Sequence, residues 1–229
     1  MLSIRLRFAL ALWIIALVLA SNKVHGQTGS SSSRRSHPAT QAKPALDKGV
    51  LADNLYRNRF IGFSYKVPFG WVDRTDQLRD SSCTGENLPR ASGDDAHTSG
   101  DCSKSLVLLS VYERPPEATA DTVNSSVLIA AESVSTYPGL KDASQYFGPL
   151  TEVTTSKGFK VVNEPYDVVI GTRRMVRGDY SKELGKLTMH QSTLAIIDKG
   201  YVVSFTFIGG SEDEVEELIG ELSFTGTVR

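Results

Sequence analysis

The chain has 229 residues, 40% of them hydrophobic and 22% charged, which is enough for one globular domain with additional segments. Its formal net charge is −1 and its pI is about 6.4. This balance excludes a strongly basic protein that binds nucleic acid or an anionic membrane surface.

The first 26 residues have the pattern of a secretory signal peptide. Arg5 and Arg7 precede an unbroken apolar run over 8–20, and Val24 and Gly26 occupy the positions that a signal peptidase reads. A spanning helix needs about 20 apolar residues, so a cleaved signal is favoured over an uncleaved anchor that would tether the protein. We expect a periplasmic or extracellular protein without stable membrane insertion after cleavage.

Residues 27–50 have the composition of a disordered linker. They are rich in Ser, Thr, Ala and Pro and offer almost nothing to bury. We therefore expect a spacer that leads to one folded domain over residues 51–229.

The folded part opens with an aromatic stretch, YRNRFIGFSYKVPFGW, at residues 56–71. Phe63 and Tyr65 alternate with polar residues and Pro68 follows, which predicts a strand that enters a turn. The aromatic side chains either anchor this strand in a core or line a ligand-binding wall. We expect the first role, and Trp71 stays a candidate ligand contact.

Cys83 and Cys102 are the only cysteines in the chain. In an oxidising compartment an isolated pair predicts a disulfide, which would stabilise the fold by about 3 kcal/mol for a loop of this size. Two reduced, buried thiols are the alternative.

Four side chains between the cysteines could hold a cation: Asp94, Asp95, His97 and Asp101. Hard divalent ions take oxygen ligands and transition metals accept imidazole. The loop lacks the regular alternation of an EF-hand, and a plain solvated loop has the same composition. The sequence therefore predicts no cofactor, with a divalent cation at these four residues as the alternative.

Strands and one helix follow in the next part of the chain. The runs at 104–113 and 125–134 are apolar on both alternating faces, which predicts strands covered on both sides. Residues 139–158 show helical spacing and end at Gly158, a suitable left-handed cap. Pro149 lies inside this segment, so we expect one kinked helix or two short ones.

The last part of the chain predicts more strands and a helix. Segments 159–164, 166–171 and 173–181 precede a hairpin of 186–198 and 201–209 that turns at Asp198 to Gly200. His190 lies in the hairpin, either as a surface or partly packed imidazole or as a candidate ligand contact.

The C-terminal helix is predicted over residues 211–222. Ser211 as N-cap and Glu214 three residues later form a capping-box pattern. Val215, Leu218, Ile219 and Leu222 make one apolar stripe. Because strands and helices do not alternate regularly, the fold class is α+β, a mainly antiparallel sheet.

Two stretches resemble PsbP-like domains. YRNRFIGFSYKVPFGW is similar to the family's opening strand, and YVVSFTFIGGSEDEVEELIGELSF to its last strand, helix and terminal Ser-Phe. The resemblance covers about 53–224 and implies an antiparallel sheet sandwiched between helices (α/β/α). The segment 83–102 departs from the family pattern, which indicates an insertion. Family members are mostly non-catalytic binding or assembly factors.

No catalytic motif supports an enzyme. The chain has no GxSxG, HExxH or CxxC sequence, and few histidines. We therefore expect an exported, non-catalytic domain that binds a protein partner or supports an envelope assembly. The alternative is a secreted module that binds a metal or small ligand through residues 94–101.

Overall fold

The computed structural model describes residues 46–84 and 105–224, with the backbone alone described for 82–84. Its helices are α1 (Thr75–Thr84), α2 (Ala143–Ser156) and α3 (Glu212–Gly220). Its strands are β1 (Val50–Ala52), β2 (Leu55–Asn58), β3 (Phe63–Lys66), β4 (Val72–Asp73), β5 (Ser105–Tyr112), β6 (Ser126–Ser133), β7 (Lys160–Ile170), β8 (Arg173–Leu184), β9 (Leu187–Asp198), β10 (Tyr201–Gly209) and β11 (Leu222–Phe224).

The strands form two sheets in which the assigned pairs are antiparallel. The larger sheet has seven strands in the order β4-β5-β6-β10-β9-β8-β7, and the smaller has the order β1-β2-β3-β11. This arrangement confirms the predicted α+β class. The smaller sheet was not predicted, because its strands are three or four residues long and β11 returns from the far end of the chain.

The small sheet and α3 cover one face of the seven-stranded sheet. Phe63 and Tyr65 of β3 are buried in the main core, where the ring of Phe63 lies edge-on to Phe205 of β10 at 5.0 Å between centroids. Val215 and Leu218 of α3 join the same cluster. The aromatic stretch therefore anchors the core, as the sequence predicts.

The opposite face carries α1 and α2. Tyr146, Phe147 and Leu150 of α2 pack on Val176, Ala195 and Val202, and Leu78 of α1 packs near Val107 and Leu128. The predicted sandwich, with helices on both faces of the sheet, is confirmed.

Helix α2 is continuous despite Pro149. Proline removes one backbone donor, while buried Phe147 and Leu150 hold the flanking turns on the sheet. Asp142 and Gln145 form a capping box at its start, and Gly158 follows its end with φ +87°. The alternative of two short helices is therefore wrong.

Other boundaries differ from the prediction in small ways. Segments 159–164 and 166–171 join into the single strand β7, which runs through Pro165. The predicted turn at 198–200 is confirmed, with positive φ at Lys199 and Gly200. Helix α3 ends at Gly220, so Leu222 lies in β11 rather than on the helix.

Ordered contacts begin before the predicted domain boundary. The carboxylate of Asp47 accepts hydrogen bonds from the backbone N–H groups of Gly49 and Phe60, and the carbonyl of Lys48 accepts one from the Tyr56 hydroxyl. The folded part thus includes the last few residues that the sequence assigns to the linker. In the described ranges, no helix combines the length and the apolarity that crossing a membrane requires.

Candidate binding surfaces

Most sequence-predicted site residues lie outside the described part of the chain. Asp94, Asp95, His97, Asp101 and Cys102 belong to segment 85–104, and the side chain of Cys83 is not described either. The disulfide and the cation site therefore stay predictions. Within 46–84 and 105–224, no group of three His, Cys, Asp or Glu side chains is arranged to hold a metal.

Trp71 and His190, the two remaining candidates, lie far apart in the chain and in different surroundings. Trp71 is half-buried against the main core, so it serves as a packing residue. His190 on β9 lines a polar pocket of about 240 Å³ beside α3. The Nδ1 atom of His190 lies 3.8 Å from Oε1 of Glu212.

The centre of this pocket is the carboxylate of Asp179, which the sequence analysis missed. Asp179 is buried on β8 and accepts hydrogen bonds from Arg177 Nε at 2.7 Å, Asn163 Nδ2 at 3.1 Å, Tyr166 Oη at 2.9 Å and the Ser192 hydroxyl. Burial alone would raise the pKa of Asp179, but the bonds from Ser192, Arg177 and Asn163 lower it below its usual value.

The side chains of this polar pocket form one hydrogen-bond network. The Ser192 hydroxyl donates to Asp179 and accepts from Arg177 Nη2 at 3.0 Å, and Arg177 also pairs with Glu216 of α3. The network ties β7, β8, β9 and α3 together. The sequence signal was two residues of opposite charge, Arg177 and Asp179, at alternate positions of a predicted strand, where their side chains share one face.

A second buried acid, Glu132 on β6, lies under the start of α2. It accepts hydrogen bonds from the hydroxyls of Tyr137 and Tyr146. Burial raises its pKa, although both tyrosines oppose that shift by stabilising the carboxylate. These bonds fix the segment between β6 and α2 on the sheet.

A second concavity is mainly apolar. A half-open groove of about 460 Å³ lies on the face of the large sheet that carries α1 and α2. Its apolar lining comes from β5, β6, β8, β9, β10 and the turn after α2, and includes Tyr112, Leu128, Phe159, Leu184, Met189 and Ile208. Such a volume is typical of small-molecule sites.

Two lysines are the charged residues that line this groove. Lys157 is the C-cap residue of α2, and Lys182 lies beside it on β8. Lys182 Nζ lies 5.6 Å from the ring centroid of Phe159. Burial, with a further contribution from Lys182, lowers the pKa of Lys157 to about 8.

The outer edge of β7 is the third notable surface. No other strand of the described ranges pairs with it. Its pairing with β8 is irregular from Val161 to Tyr166 and regular from Tyr166 to Ile170. Val169, in the regular half, has 67% of its surface exposed.

No protein-family model and no curated protein sequence matches this chain. Solved structures do. One is a cyanobacterial PsbP (CyanoP) from Synechocystis sp. PCC 6803, 14% identical, with 83% of this chain and 98% of that chain covered and a TM-score of 0.42. The chain resembles a PsbP domain. PsbP is also the family that the sequence resembles.

Two further proteins show a similar degree of likeness. LpqN from Mycobacterium tuberculosis, described as involved in cell envelope biogenesis, is 15% identical, with 72% of this chain and 83% of that chain covered and a TM-score of 0.38. A Pseudomonas aeruginosa protein of unknown function is 16% identical, with 57% and 78% covered and a TM-score of 0.32. At these values the likeness concerns the arrangement of strands and helices alone.

Proposed function

We propose that this chain is an exported, non-catalytic domain that binds a partner protein of the envelope or extracellular space along the outer edge of β7. The partner contributes an extended segment that pairs with Tyr166–Ile170. An exposed sheet edge offers unpaired backbone donors and acceptors, which an added strand satisfies.

The observation that carries this proposal is the contrast between the two halves of β7. Exposed sheet edges are commonly protected by proline and by bulges. In the first half, Pro165 and two shifts of pairing register provide that protection. The second half has neither, and it exposes the valine side chain of Val169.

Side chains near this edge add selectivity to the backbone pairing. Val162, Tyr166 and Val169 are three of the six large apolar residues that are exposed in the described ranges. Arg174 and Asp167 form an exposed ion pair at 3.5 Å beside them. An extended segment with alternating apolar residues fits such an edge, because alternate side chains of a strand point to the same face.

Affinity purification of the tagged chain from exporting cells tests the proposal. Val169→Asp should reduce recovery of the partner at least fivefold, since a carboxylate at this position would lie beside the apolar side chains of the added strand. Val50→Asp is a matched control, because Val50 on β1 is also a valine with 67% exposure. Equal recovery of the partner with both variants would exclude the β7 edge as the binding surface. Loss of the partner with Val50→Asp alone would exclude it as well.

A further inference from the structure

The lysine-flanked groove has features of a binding site that is separate from the β7 edge. Its floor crosses five adjacent strands, from β5 at Tyr112 to β8 at Leu184. Four spacings of about 4.8 Å give a floor about 19 Å long. An extended acyl chain of medium or greater length fits this dimension.

The charge in the groove lies at one end. Lys157 and Lys182 belong to the part formed by β8 and the turn after α2, whereas the residues from β5 and β6 are uncharged. No Asp or Glu is among the described residues that line the groove. A ligand that matches this pattern has a long apolar part and one terminal anionic group.

The two lysines are held in place by the fold. Lys182 Nζ donates a hydrogen bond to the carbonyl of Lys157 at 2.8 Å. Gly158, between Lys157 and Phe159, has φ +87°, and a Cβ built on it would lie 3.6 Å from Lys182 Cε. The turn thus brings two positive side chains to one end of an apolar floor, where an anion would offset their mutual repulsion.

We propose that this groove binds a single-chain fatty acid, with the acyl chain on the floor across β5, β6, β10 and β9 and the carboxylate between Lys157 and Lys182. Charge complementarity selects the anion, because a neutral alcohol of equal length gains the apolar contacts and loses the ionic ones. A cationic amphiphile of equal length is repelled.

Calorimetric titration of the exported chain tests the assignment, with laurate and dodecyltrimethylammonium below their micelle concentrations and dodecanol below its solubility limit. Laurate should bind at least fivefold more tightly than dodecanol, and the cation should not bind. Equal affinity for all three, or no laurate binding, would overturn the proposal. Binding only to vesicles of anionic diacyl lipid would also overturn it, since it would indicate a membrane surface instead.

Variants separate the role of the lysine from effects on folding. Lys157→Gln should weaken laurate binding at least fivefold and leave dodecanol binding unchanged, whereas Lys157→Arg should retain laurate binding. Lys186→Gln is the matched control, because Lys186 is an exposed lysine in the β8–β9 turn and does not line the groove. Unchanged laurate affinity in a folded Lys157→Gln protein would refute the proposed carboxylate site.

Discussion

The side-chain ammonium of Lys182 donates a hydrogen bond to the backbone carbonyl of Lys157, with 2.8 Å between nitrogen and oxygen. This bond joins β8 to the end of α2, although 25 residues separate the two in the chain. It also places one lysine beside the other at the end of an apolar groove. The positive character of that end is therefore a property of the tertiary fold.

Laurate binding should weaken as the pH rises from 7 to 9.5. Burial, aided by the charge of Lys182, lowers the pKa of Lys157 to about 8, so Lys157 is mostly protonated at pH 7 and mostly neutral at pH 9.5. Of the other titratable groups in the groove, Lys182 faces it from β8, and Tyr112 stays uncharged because burial raises its pKa. Calorimetry should show a several-fold loss of affinity.

The matched variant for this pH dependence is Lys157→Gln. Its weaker laurate affinity should vary much less over the same pH range, because the titrating ammonium is gone. A wild-type affinity that stays constant or increases toward pH 9.5 would show that Lys157 does not contact the carboxylate.

Asp179→Asn should lower the free energy of unfolding by about 2 kcal/mol, the usual range for hydrogen bonds to a charged group. Asp179 is buried and accepts bonds from four side chains. Asp167→Asn is the control: Asp167 pairs with Arg174 at an exposed site, so its loss should cost less than about 1 kcal/mol. Urea denaturation measures both values.

Asp179 should also make the free energy of unfolding depend on pH. The folded-state pKa of Asp179 is below its usual value, so its contribution is complete above the unfolded-state pKa of about 3.9 and is lost as the pH falls through the lower, folded-state pKa. Wild-type stability should therefore decrease more steeply than that of Asp179→Asn between about pH 5 and pH 2. Parallel curves for the two proteins would contradict this assignment.

Removing the hydroxyl from each of two buried tyrosines should have different effects on the stability of the protein. Tyr65 Oη has no hydrogen-bond partner although it is buried, so Tyr65→Phe should be neutral or stabilise by up to about 1 kcal/mol. Tyr146 donates to buried Glu132 at 2.9 Å, so Tyr146→Phe should destabilise by about 1–3 kcal/mol. A marked loss of stability in Tyr65→Phe would reveal a partner for its hydroxyl.

Two glycines should also differ, one on the sheet facing α2 and one within α2. A Cβ on Gly178 of β8 would lie 2.8 Å from Cε1 of Phe147, which is buried, so Gly178→Ala should destabilise by about 1–3 kcal/mol. A Cβ on Gly148 in α2 would meet no atom within 4 Å apart from its chain neighbours and the backbone of the helix itself, but Pro149 follows it and disfavours a Cβ in the helical conformation. Gly148→Ala should therefore change stability by less than about 1 kcal/mol. Thermal unfolding of the pair tests the packing of α2 on the sheet, and equal midpoints would argue against it.

The central sheet was predictable because its residues carry a strong local signal. The apolar runs of β5 and β6 and the hairpin β9–β10 are long and bounded by clear turns, and Ser211 at the N-cap of α3 receives the predicted hydrogen bond from Glu214 N–H. The Glu214 carboxylate departs from the predicted box, since it accepts from Gly210 N–H. The Ser125 hydroxyl, which is distant in the chain, also donates to the Glu214 carboxylate.

The candidate surfaces were much harder to predict, because they depend on pairs that are distant in the chain. Lys157 and Lys182 are unremarkable lysines in the sequence, and their proximity follows from the register of β7 with β8. The exposure of Val169 likewise follows from the position of β7 at the end of the strand order. Pro165 is the residue of β7 whose type indicates an edge strand, because proline cannot donate to a central ladder.

Site-specific photo-crosslinking in exporting cells tests the binding role of the β7 edge most directly. A photoreactive residue at position 169 or at position 50 samples two surfaces of equal exposure on β7 and β1. The proposed function predicts one discrete adduct with an extended partner segment at 169 and none at 50. The same adduct at both positions, or at 50 alone, would contradict it.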